Sequence, residues 1–152
     1  MKNHIDTYQE MLMAEASKYS DGIFLTLNAL TNDVFKFEEQ LIQAMHWLNC
    51  YCFGRAYRNN KKRLRIFGVV EKGELNKKLH IHLIIMYNQD LRRSIQELNN
   101  FIRIKWHRLL KARGSVFGTL VNVQHINVVE TRISYSLKTF INKNNLSNLH
   151  FF

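Results

Sequence analysis

His80 and His82 flank Ile81 in the run Leu79-His80-Ile81-His82-Leu83-Ile84-Ile85. Large aliphatics around a polar pair spaced by two predict a strand. Both imidazoles then share one face, with Leu79, Ile81, Leu83 and Ile85 on the other. Two imidazoles side by side on a rigid strand supply half the donor set of a divalent-metal site. The competing use of such a pair is as strand histidines satisfied by hydrogen bonds. A third donor on the same face decides between them.

Arg63 to Glu71 reads as a strand, Gly73 to Lys77 as a turn, and Lys78 to Tyr87 as the histidine strand. Two adjacent strands joined by a short loop predict an antiparallel hairpin. A turn centred near Leu75 and Asn76 places Glu71 opposite His80 or His82, where facing residues lie about 5 Å apart. A slip of one residue sends the carboxylate to the far face, where it would simply be solvated. With Glu71 in register, two imidazoles and a carboxylate can hold a catalytic cation and leave positions open for substrate. Arg63 and Arg65 share the odd-numbered face of that strand with Glu71, which would make the site basic and attractive to phosphate.

Ser134-Tyr135-Ser136-Leu137-Lys138 carries the second chemical possibility. On a helix, Tyr135 and Lys138 lie on one side. A neighbouring ammonium favours phenolate and steadies phosphate, so Tyr135 is a candidate nucleophile. The spacing is common on helices, where a packed tyrosine and a solvated lysine are the ordinary outcome.

The elements that must position these groups follow from periodicity. A short helix is expected from about Asn3 to Lys18 and a strand over Ile23–Asn28. A helix from Asp33 buries Val34, Phe37, Leu41, Met45, Leu48 and Cys52, and Gly54 stops it. Arg55 to Lys62 reads as a basic loop. Leu91, Ile95, Leu98, Ile102, Trp106 and Leu109 mark a second long helix. Leu120 to Ile126 is a further strand, and a last helix runs from about Val129 to Asn142. The order is β-α-β-β-α-β plus a helix, an α+β, ferredoxin-like (RRM-like) antiparallel sheet. The histidine face also carries Ile84 and Met86, so the last helix is expected to cover part of it. The chain reads as one domain over residues 1–152, with its core at about 20–143 and a tail after Lys143 that is polar until Leu149, His150, Phe151 and Phe152, as at a cut in a longer protein.

With 22 Lys+Arg against 12 Asp+Glu, the net charge is +10. So basic a domain suits a polyanion, most simply nucleic acid. Lys61, Lys62, Arg63 and Arg65, with Arg108 and Lys111 at the end of the second long helix, are the candidate contacts. No apolar run approaches the ~20 residues of a membrane span, and the N-terminus has no signal region. Cys50 and Cys52 have the wrong spacing for a zinc knuckle and read as reduced thiols of a cytoplasmic protein.

Three stretches now stand in a recognisable order: Phe24-Leu25-Thr26-Leu27, His80-Ile81-His82 and Tyr135-Ser136-Leu137-Lys138. Together they resemble the F-L-T-L, His-hydrophobic-His and Y-x-x-K motifs of the HUH endonucleases, specifically the rolling-circle replication initiators of plasmids and phages. The resemblance spans about residues 23–143. It implies that His80, His82 and Glu71 bind Mg2+ or Mn2+, that Tyr135 is the nucleophile, and that Lys138 positions the scissile phosphate. It further implies nicking and joining of single-stranded origin DNA through a 5′-phosphotyrosine, with host helicase and polymerase as partners.

Thr139 stands where two-tyrosine relatives carry a second tyrosine, so this would be a single-tyrosine type. No Walker A motif is present. A relaxase or single-strand transposase of the same superfamily is the nearest alternative. A non-catalytic RRM-like module would hold nucleic acid on exposed sheet aromatics, but the matching positions here are His and Ile. His125 or Gln124, on opposite faces of the last strand, is a further candidate to approach the site.

Overall fold

The structure, a computed structural model, describes residues 4–73, 78–88, 91–111, 120–126 and 149–152. In chain order these form α1 (His4–Ala16), β1 (Asp21–Asn28), α2 (Val34–Phe53), α3 (Arg55–Asn60), β2 (Arg65–Lys72), β3 (Leu79–Tyr87), α4 (Ile95–Leu110), β4 (Val121–Ile126) and β5 (Leu149–Phe151). The strands make one sheet in the order β4-β1-β3-β2-β5, every neighbour antiparallel. The first four strands with α2 and α4 are compatible with the ferredoxin-like arrangement expected from the element order.

Local chemistry starts and stops the long helices. Asp33 caps α2 by accepting a hydrogen bond from the Lys36 N–H. Gly54 ends it at φ 52°, a conformation that costs glycine little. Ser94 and Glu97 form a reciprocal capping box at the start of α4. Both helices turn their apolar stripes onto the same side of the sheet. Phe37, Leu41, Met45 and Leu48 of α2 and Leu98, Ile102 and Trp106 of α4 pack on Ile23, Leu25, Leu27, Ile81, Leu83 and Ile85. Each such side chain contributes about 1.5–3 kcal/mol by burial. Buried Asn49 ties α2 to β2: its amide donates to the Met45 carbonyl and its oxygen accepts from the Leu64 N–H at 2.7 Å.

One expectation changes, and two features are added to the sequence reading. Arg55–Lys62 is not a loop, because after the turn at Gly54 the chain re-enters a helix, α3, which Lys61 closes in the left-handed conformation at φ 56°. The polar tail ends in β5, which pairs with the edge of β2. The end of the histidine face where Phe67, Ile84 and Met86 lie is covered by α1, through Leu12 and Ala16. The expected last helix, with Tyr135 and Lys138, lies outside the described residues.

Candidate metal centre

The β2–β3 register pairs Glu71 with His80 and Val69 with His82. On the other side of β3, β1 pairs Thr26 with His82 and Asn28 with His80. Alternation therefore places Glu71, His80, His82, Thr26 and Asn28 on one face, at the end of the sheet that α1 does not reach. Glu71 Oε2 lies 3.1 Å from His80 Nε2 and 3.4 Å from His82 Nε2. The two imidazole rings stand nearly edge to face, 5.0 Å apart. One ligand atom from each of the three residues lies within 4.8 Å of the others. All three side chains are half-buried, between 20% and 29% exposed.

The surroundings prepare His82 to bind a cation. Thr26 Oγ1 is 2.9 Å from His82 Nδ1. In the tautomer with hydrogen on Nδ1, that N–H donates to the hydroxyl and the Nε2 lone pair is left for a metal. Phe24 stacks on the same imidazole, centroids 5.5 Å apart. Burial pulls the His82 pKa below its ordinary 6.5, against the attraction of Glu71. The neutral, ligating form is therefore favoured.

The donor set is two nitrogens and one carboxylate oxygen. A hard divalent ion such as Mn2+ or Mg2+ accepts the carboxylate, and imidazole suits the later transition metals. The three residues fit a divalent cation as a class.

The other expected site residues are distributed along the molecule. Arg65 does share the Glu71 face, but six positions away, roughly 20 Å along the strand. There it pairs with Glu15 of α1 at 3.3 Å. Arg63 and Lys61 are exposed before β2, and Lys62 lies over the Phe53 ring at 5.4 Å. All four are thus at the far end of the sheet. Arg108 and Lys111 are at the near end, because Trp106 Nε1 donates to the carbonyl of Asn28, the residue opposite His80. Of the two β4 candidates, register pairs Gln124 with Phe24, on the metal face, and His125 with Ile23. Tyr135 and Lys138 lie outside the described residues.

Sequence reasoning placed Thr26 in a motif without giving it a partner. Its contact with His82 spans 56 positions and depends on the β1–β3 register, which no local pattern encodes. The alternation of apolar and polar residues at Phe24 to Asn28 was the available signal.

No family model matches this chain, and no curated protein or solved structure matches it. Among the described residues, no helix is long and apolar enough to cross a membrane.

Proposed function

We propose that this chain is a divalent-metal-dependent endonuclease that nicks and rejoins single-stranded DNA, acting in the cytoplasm as a rolling-circle initiator of the HUH kind. One observation carries the reading. Thr26, from the F-L-T-L stretch, hydrogen-bonds His82 of the His-hydrophobic-His stretch, and Glu71 lies against both histidines. Two of the three motifs on which the resemblance rests therefore converge on one donor cluster.

On this reading His80, His82 and Glu71 hold Mg2+ or Mn2+. The ion, when bound, polarises the phosphodiester and offsets its charge. A C-terminal helix completing the ferredoxin-like domain carries Tyr135 and Lys138. The Tyr135 oxygen bonds to phosphorus as the bond to the 3′ oxygen breaks. The 3′ oxygen leaves and takes up a proton, and the phenol proton passes to solvent or a base. Lys138 holds the phosphate. The bond energy is kept in the 5′-phosphotyrosine, so rejoining needs no nucleotide cofactor. Host helicase and polymerase would then extend the free 3′ end.

The test is a denaturing gel of the chain with Mn2+ and a pool of labelled hairpin-forming single strands. A covalent adduct is expected, lost with chelator and in Tyr135→Phe. DNA binding without any adduct would replace the enzyme by an RRM-like binding module.

A further inference from the structure

On the helical side of the sheet, away from the metal centre, α2 and α4 meet along a seam of rings and cations. Tyr51 stacks on Phe101, centroids 4.1 Å apart and 9° between planes. The Arg93 guanidinium lies over Tyr51 at 4.3 Å. Lys105 Nζ lies 5.5 Å from the Phe101 centroid and 5.2 Å from that of Trp47. The contacts run continuously from Arg93 through Tyr51, Phe101 and Lys105 to Trp47. Arg108 and Lys111, both exposed, extend the cationic side of α4 at a spacing of three.

Carboxylates do not account for these charges. Arg93 has Glu97 at 3.6 Å, but among the described residues Lys105, Arg108 and Lys111 have no carboxylate partner. Rings under a cation hold it in place, which lowers the entropy lost when it binds an anion. These rings are engaged by one another and by the cations, so they are poor platforms for stacking unpaired bases. A rigid row of cations, in a chain of charge +10, matches a regular row of phosphates. At 16 residues, α4 is about 24 Å long, matching about seven nucleotides of one duplex strand.

We propose that the α2–α4 seam is a second nucleic-acid surface, which grips the phosphate backbone of duplex DNA without reading its sequence. It extends the nucleic-acid reading of the chain and requires neither cleavage nor a metal. In an origin hairpin, the duplex stem would lie on the helices while the unpaired strand reaches the opposite face.

The test uses the full chain, chelator throughout, and a labelled duplex of about 20 base pairs titrated by fluorescence anisotropy between ~50 and ~200 mM salt. Lys105→Gln/Arg108→Gln should weaken binding about tenfold at the lower salt and flatten the log-affinity against log-salt slope by about 2. Lys105→Arg should bind as wild type does. Arg55→Gln/Arg58→Gln, the same charge change on α3, should weaken binding less than a third as much. Thermal melting confirms that each variant is folded. An equal loss in the α3 variant would reduce the seam to general charge and overturn the proposal. Tighter binding of a single strand, or of poly-glutamate, through Lys105 and Arg108 would overturn the duplex assignment. Because chelator excludes metal-dependent cutting, failure here leaves the nuclease reading standing, and an absent adduct leaves this one standing.

Discussion

One face of the sheet changes character along its length. Near β3's start it carries Glu71, His80, His82 and Thr26, half-buried and mutually hydrogen-bonded. Towards β3's end the same face carries Phe67, Ile84 and Met86, sealed under Leu12 and Ala16 of α1. The strands and the alternation are common to both ends. What differs is the cover: α1 reaches only one end, and Arg65 with Glu15 adds an ion pair at its margin. A strand face thus becomes core or site according to what packs on it, and among the described residues the polar ones lie where α1 does not take them from water.

The sharpest way to break this comparison is to delete the histidines. His80→Ala/His82→Ala should lower Mn2+ affinity by more than ~100-fold, since losing ligands exceeds the ~10–100-fold typical of losing an outer partner. Calorimetric titration reads it, and the metal-free melting temperature should barely move. A collapse of the metal-free protein would show that the histidines belong to the core.

At the covered end the effects should invert. Ile84→Ala removes a fully buried side chain and should cost about 2–5 kcal/mol in urea unfolding, with Mn2+ affinity of the folded protein unchanged. Thr26→Val is subtler. It keeps the shape and removes the hydroxyl that orients His82, so Mn2+ should bind ~10–100-fold more weakly, while Thr26→Ser restores binding.

The smallest effect separates the two sides of the sheet by pH. Burial pushes the Cys52 thiol, on the helical side, up from 9.0 to about 12. Above pH 9 the unfolded chain loses this proton while the folded chain keeps it, so stability falls as pH rises towards 12. Each such group contributes at most about 1.4 kcal/mol per pH unit. Urea melts at successive alkaline pH values should show a shallower decline in Cys52→Ala.

Legibility followed the range of the contacts. The hairpin was readable because its partners lie close in sequence: Glu71 faces His80, one of the two positions that turn geometry allowed. The apolar stripes of α2 and α4 were readable because helical period and burial coincide, except at Val34, which opens α2 and is exposed where burial was expected. Arg65 shows the limit of such reading, since alternation correctly put it on the Glu71 face and could not say that it sits six positions away against Glu15. The helix at Arg55–Asn60 was missed because its residues form no apolar stripe, and β5 because three residues carry no period. Asn49, a polar residue among buried ones, was invisible until its bond to Leu64 was seen.

By itself the sequence determined the hairpin, the shared face of its two histidines, the two amphipathic helices and the basic charge, and it offered Glu71 as a third donor that strand register placed on that face. These rest on short-range periodicity and composition, which are properties of the chain before it folds. Only the tertiary structure decided that Thr26 orients His82, that α1 seals one end of the face and does not reach the other, and that rings of α2 hold Lys105 of α4 and Arg93 just before it. Those contacts join residues far apart in the chain, and their geometry is set by strand register and helix packing, which no local pattern specifies.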